Sequence, residues 1–150
     1  QTHPLLQKSY DLVLCSHVLE HFEDPQSYLQ NIKSCLKRQG AFLGLVPINE
    51  RVENPHHLHK VDRNVIVEWA RKANLELTYY IEADPWMYWF QSLYTADEGI
   101  RRRLTQALSL ALGIPATALG PDAWEYVSKP YAMLTQSEPT QAAFILRKNS

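Results

Sequence analysis

Ser16, His17, Glu20 and His21 place a hydroxyl, two imidazoles and a carboxylate within one short stretch, Ser16-His17-Val18-Leu19-Glu20-His21. An imidazole near its ordinary pKa can take the proton of a hydroxyl or amine nucleophile, and a neighbouring carboxylate can steady the charge it gains. Glu20 and His21 are therefore the candidate catalytic pair. The competing reading gives both side chains to loop backbone ahead of a helix. Three more histidines, His56, His57 and His59, follow in a polar segment. His17 to His21 also fits the bare H-x-x-E-H pattern of inverted zinc peptidases. That motif works on a helix, which brings both imidazoles to one side of a metal. Here it follows an apolar run and precedes a helix cap, so peptidase chemistry is set aside. Trp86-Met87-Tyr88-Trp89-Phe90 is an aromatic cluster suited either to an apolar substrate pocket or to core packing.

The elements that must position these groups are legible around them. Leu12-Val13-Leu14-Cys15 is an unbroken apolar run, which predicts a buried parallel strand over Tyr10–Cys15 ending at polar Ser16. Asp24 and Pro25 predict the cap and first residue of a helix running to Lys37. Its buried face is Tyr28, Leu29, Ile32, Cys35 and Leu36, and Gly40 is its expected left-handed cap. Ala41–Val46 reads as a second buried strand stopped by Pro47, which makes a right-handed crossover with the first. Residues 48–61 form a polar loop. Asp62 caps a second helix, with Val65, Ile66, Trp69, Ala70 and Ala73 inward and Asn74 in the left-handed terminal position. Leu75–Ile81 and Ala142–Arg147 read as further strands. Between them, 84–141 reads as an insertion with an amphipathic helix over Asp97–Leu112, then a loop-rich remainder marked by Pro115, Pro121 and Pro130. Arg101, Arg102 and Arg103 read as a solvated helix face. Open α/β sheets bind ligands beyond the carboxyl ends of their strands, which points to Ser16 and the loop after Pro47.

The totals exclude several classes. A chain of 150 residues with 45% hydrophobic and 21% charged residues suffices for one domain with a real core. A net charge of −1 leaves no electrostatic footprint for nucleic acid. No apolar run reaches membrane-spanning length. Cys15 and Cys35 both fall at expected core positions, which suits reduced thiols in a cytoplasmic protein.

The stretch Tyr10–Phe22 resembles the fourth strand and following loop of class I S-adenosylmethionine-dependent methyltransferases. The resemblance continues through Leu36–Gly40, the strand to Val46-Pro47, the His-rich loop and the helix ending Ala73-Asn74, over about residues 8–83. It implies an α/β fold: the C-terminal half of a Rossmann-like methyltransferase sheet, with three parallel strands and one antiparallel. The last strand would lie between those at 41–46 and 75–81, and 1–150 would be a single partial domain. It implies that Cys15, Ser16, His17 and Val18 border S-adenosylmethionine, and that Asn49, His57, Trp86 and Trp89 face a small-molecule acceptor. The family's Gly-rich turn and acidic ribose-binding tip have no counterpart, since the five glycines stand at 40, 44, 99, 113 and 120. The expectation is therefore that the cofactor binds only with a missing N-terminal half. That half, or a second copy, would pair at the Tyr10–Cys15 edge. A non-catalytic remnant serving as an interaction module is the alternative. A metal-assisted reading also exists. Small-RNA 2′-O-methyltransferases hold a metal with an acidic residue, a following Glu-His and a loop His, to which His17, Glu20, His21 and one of His56, His57 or His59 are similar. Asn-Pro-His-His-type loops are also common in relatives that bind no metal, and no metal is assigned from sequence.

Overall fold

The computed structural model describes residues 9–51, 53–83 and 121–149, with positions 85, 99, 103, 104, 107 and 111. The chain divides into two compact units, one of residues 1–49, 55–83 and 141–150, the other of 50–54 and 84–140.

In the first unit, strands β1 (Tyr10–Ser16), β2 (Leu36–Pro47), β3 (Leu75–Ala83) and β4 (Gln141–Lys148) form one sheet in the order β1-β2-β4-β3. β1 and β2 are parallel, and β4 runs antiparallel to both β2 and β3. Three strands thus share a direction and β4 opposes them, as the resemblance implies. Helix α1 (Pro25–Cys35) starts as expected: the Asp24 carboxylate accepts from the amides of Gln26 and Ser27, both at 3.1 Å. Helix α2 (Arg63–Lys72) is capped by Asp62, which accepts from the Val65 amide at 2.8 Å. Asn74 takes the left-handed conformation, with φ 55°. Both helices bury one face on the sheet. Leu29, Ile32, Cys35, Ile66, Trp69 and Ala70 pack with Phe42, Val46, Phe144 and Leu146.

Two expectations are corrected. α1 ends at Cys35, not Lys37, and β2 begins at once with Leu36. Leu36 is buried and extended, and Lys37 reaches sideways to Asp11 of β1 at 2.7 Å instead of facing a helix end. Gly40 is a strand residue. A Cβ there would lie 2.7 Å from the Tyr10 carbonyl oxygen, so the site needs glycine for close approach and not for a cap. β1 is also not buried on both faces. Cys15 points into the core, whereas Leu12 and Leu14 are 57% and 62% exposed. Successive side chains alternate across a strand, and the core shared with α1 and α2 lies on the Cys15 side.

In the second unit, helix α3 (Pro121–Thr135) occupies a segment expected to be loop. Pro121 suits the first helical position, and Pro130 sits inside the helix. The end is a Schellman turn: Gln136 has φ 53° and the Ser137 amide donates to the Ala132 carbonyl at 3.0 Å. The aromatic cluster at 86–90, with Trp86 and Trp89, lies outside the described residues, as does most of the expected 97–112 helix. No described helix is long and apolar enough to cross a membrane.

Candidate active site

Because β1 and β2 are parallel and in register, Ser16 opposite Leu45, their carboxyl ends open at the same edge of the sheet. The backbone leaves β1 through His17, whose φ of 52° is left-handed, a conformation that costs a non-glycine residue energy and recurs at functional sites. Its amide donates to the Leu45 carbonyl at 2.9 Å, so pairing extends one residue past the strand. A single 3-10 turn follows, Leu19–His21. Leu19 is buried in the core and anchors the turn, and that anchoring carries Glu20 inside as well, with no exposed surface.

The loop at 55–61 returns to this turn and is fastened to it. The Leu58 amide donates to the Glu20 carbonyl at 2.8 Å. His59 Nε2 lies 2.8 Å from the Phe22 carbonyl and His21 Nδ1 lies 2.8 Å from the His56 carbonyl. A carbonyl only accepts, so both ring nitrogens are the donors. His59 also stands edge-on to Trp69, ring centres 5.3 Å apart, which makes it a fastening of the loop rather than a free base.

The His21 bond has a chemical consequence. With the proton on Nδ1, the lone pair of neutral His21 is on Nε2, 3.9 Å from Glu20 Oε1. His17 Nδ1 lies 3.5 Å from the same oxygen. Neither approach has hydrogen-bond geometry, and among the described residues neither carboxylate oxygen of Glu20 has a hydrogen-bond partner. His57, half-buried, places its ring edge-on to His21 with centres 4.8 Å apart. Beneath them, burial pushes the Cys15 thiol up against the lowering effect of the Tyr28 hydroxyl, 3.9 Å from its sulfur; Glu20's charge adds a smaller push. Burial likewise raises Tyr28, to about 12. Both groups stay protonated and inert at neutral pH.

Ser16, His17, Glu20, His21 and His57 thus meet at one end of the sheet. Cys15 turns its side chain to the core, and Val18 is half-buried. Asn49 follows the end of β2, exposed and left-handed at φ 50°. The fastening roles of His59 and Leu58 were not expected. Nothing in the loop's composition distinguishes them, since their partners are backbone carbonyls.

A mixed sheet whose parallel strands end in ligand-type loops, with an antiparallel strand inserted before the last edge, is a methyltransferase sheet of the Rossmann-like kind. The chain belongs to the methyltransferase-domain family, whose model matches residues 3–94. Among curated proteins none matches. Solved structures share the fold at low identity. A putative sarcosine dimethylglycine methyltransferase from Galdieria sulphuraria is 12% identical, with a TM-score of 0.55, over 98% of this chain and 58% of that one. The [4+2]-cyclase SpnF is 13% identical, at 0.54, over 94% and 50%. Phosphoethanolamine N-methyltransferase 2 of Haemonchus contortus, in complex with S-adenosylmethionine, is 15% identical, at 0.52, over 94% and 34%. The chain therefore spans between about a third and three fifths of these structures.

Proposed function

We propose that this chain supplies the acceptor-side half of an S-adenosylmethionine-dependent methyltransferase acting on a small molecule. The observation that carries the reading is the meeting of Ser16, His17, Glu20 and His21 beyond the carboxyl end of β1, in a chain that belongs to the family. The residues suit one end of the cofactor. Ser16 and His17 are exposed at the strand tip, whereas Cys15 and Val18 would contribute backbone. When bound, the cofactor supplies an electrophilic methyl group. The chain's own part is to align the acceptor and receive its proton. His21 Nε2 carries the lone pair for that step, and Glu20 Oε1, 3.9 Å from the same nitrogen, stabilises the imidazolium that forms. His57 and Asn49 would border the acceptor.

No described group replaces the Gly-rich turn or the ribose carboxylate, and we place both in a polypeptide that pairs with β1 on the side away from β2, either a preceding half or a second copy. Hydrogen bonds to charged groups contribute roughly 1.5–3 kcal/mol each. Their loss costs on the order of 4 kcal/mol, about a thousandfold in affinity. Calorimetric titration with S-adenosylhomocysteine tests this on the chain alone and on a version extended upstream. The extended protein should bind at least a hundredfold more tightly, by the same estimate of about 4 kcal/mol. Equal binding by the short chain, or none by either, would end the half-site reading. An interaction module without catalysis is the second reading, favoured by the exposed Leu12 and Leu14 on the edge strand.

A further inference from the structure

We infer that the sheet edge where β1, β2 and β3 begin and β4 ends is a docking surface for an acidic polypeptide. It lies at the end of the sheet away from Ser16 and His21, about 20 Å along β1 at roughly 3.3 Å per residue, and does not rest on methyl transfer.

Chain direction gathers charge there. Both α1 and α2 run into this edge and pass on into β2 and β3, and their last turns carry Lys33, Arg71 and Lys72. Lys37 and Arg38 stand at the start of β2, and Arg147 and Lys148 at the end of β4. Side-chain bonds tie these segments together. Gln30 Nε2 donates to the Lys72 carbonyl at 3.4 Å, and Arg147 Nη1 to the Gln39 carbonyl at 3.0 Å. Lys148 Nζ donates to the Leu36 carbonyl, and Asn149 Nδ2 to Asn74 Oδ1 at 3.0 Å. Among the described residues the carboxylates at this edge are Asp11, Glu68 and Glu76. Seven cations thus meet three carboxylates in a chain whose net charge is −1.

The carboxylates are already matched. Lys37 pairs with Asp11 at 2.7 Å and Lys72 with Glu68 at 2.6 Å, while Glu76 lies opposite Arg147 in the β3–β4 register. The carboxyl ends of two helices offset about one more positive charge between them. About three remain by that measure. Among the described residues, the side chains of Lys33, Arg38 and Arg71 form no ion pair or hydrogen bond, and Arg38 and Arg71 are exposed.

The surface also selects among anions. Phosphate sites use helix N-termini and converging backbone amides, whereas this edge presents helix carboxyl ends. A nucleic-acid backbone carries a charge at every step and would lay some of them against Asp11, Glu68 and Glu76. An extended polypeptide places alternate side chains on one side, about 6.6 Å apart, and so sets single carboxylates on the cations and between the chain's own acids. The Lys37–Asp11 and Lys72–Glu68 pairs show lysines of this edge already holding carboxylates at contact distance.

The test uses the full chain and a fluorescein-labelled peptide of alternating Glu and Gly, followed by fluorescence anisotropy. The peptide should saturate one site per chain. Its binding should weaken as salt is raised, because exposed charges are screened beyond about 10 Å at 0.1 M. The triple variant Lys33→Gln, Arg38→Gln, Arg71→Gln should bind about tenfold more weakly, the combined effect of three exposed pairs. A second triple, Arg51→Gln, Lys60→Gln, Lys129→Gln, removes the same charge elsewhere and should bind as the wild type does. None of the six positions is buried, and circular dichroism verifies that both variants keep the fold. The inference is overturned if the peptide does not saturate, or if the two triples lose affinity equally, which is attraction to net charge alone. It is also overturned if single-stranded RNA of equal charge displaces the peptide and binds more tightly.

Discussion

Glu20 and His21 were legible as a pair from residue type alone. Their environment was not. Glu20 is buried because Leu19 beside it is drawn into the core and the loop at 55–61 closes over the turn, a tertiary effect without a local signature. His57 is set apart from its neighbours by position: the His59 ring bonds the Phe22 carbonyl and His56 offers its backbone carbonyl to His21, whereas the His57 ring stands edge-on to His21. The buried carboxylate leads to an expectation opposite to the usual one for a core substitution. Glu20→Gln removes a buried carboxylate whose oxygens accept no hydrogen bond among the described residues while keeping its shape, and should stabilise the fold by roughly 1–3 kcal/mol, read from the urea midpoint. A loss of stability would show that the charge is compensated. Asp24 gives a pH-dependent counterpart. The Ser27 hydroxyl, then the amides of Ser27 and Gln26, hold its carboxyl below the usual range. A folded value below the unfolded one means that the cap's contribution is complete above the ordinary carboxylate pKa and is lost as pH falls through the folded value. The thermal midpoints of wild type and Asp24→Asn should therefore converge below about pH 4. A gap that stays constant from neutral pH into acid would contradict this.

At the scale of elements, the caps were readable because a cap is local chemistry: Asp24, Asp62 and Asn74 each act within their own turn. The junction of α1 and β2 was not. Lys37 and Arg38 looked like a helix end, yet the strand begins at Leu36, where pairing with Tyr10 and the Asp11 ion pair outweigh helix continuation. The apolar run in β1 likewise concealed its alternation, since composition alone does not say which face receives helices. β2 carries a sharper constraint. Gly44 lies opposite Phe144 of β4, and a Cβ at Gly44 would collide with the Phe144 ring. The ring is fully buried. Gly44→Ala should cost about 1–3 kcal/mol in chemical denaturation. Adding Phe144→Leu should recover part of that loss. Simple additivity of the two changes would mean that they do not share the space.

For the molecule as a whole, β1 lies at one end of the strand order and, among the described strands, pairs with β2 alone, with Leu12 and Leu14 exposed along it. Exposed apolar edges template pairing with other chains. The 150-residue chain should therefore self-associate in light scattering, and the Leu12→Lys, Leu14→Lys double variant should be monomeric at the same concentration. A wild-type monomer would remove the edge from consideration as a docking site. At the other end of the order, β3 has β4 as its one hydrogen-bonded neighbour among the described strands, and β4 is the last of the four in sequence. Space thereby becomes time. During synthesis β1, α1 and β2 emerge early and can assemble by nearby contacts, but β3 has no strand to join until β4 arrives. Closing β4 onto β2 brings Arg147 against Gln39 across 108 residues of chain. Such distant pairings are the slow ones in folding. A newborn molecule thus passes through an interval in which Tyr79 and Ile81 sit on a strand whose described partner has not yet been made, an interval in which an exposed strand is open to pairing with other chains.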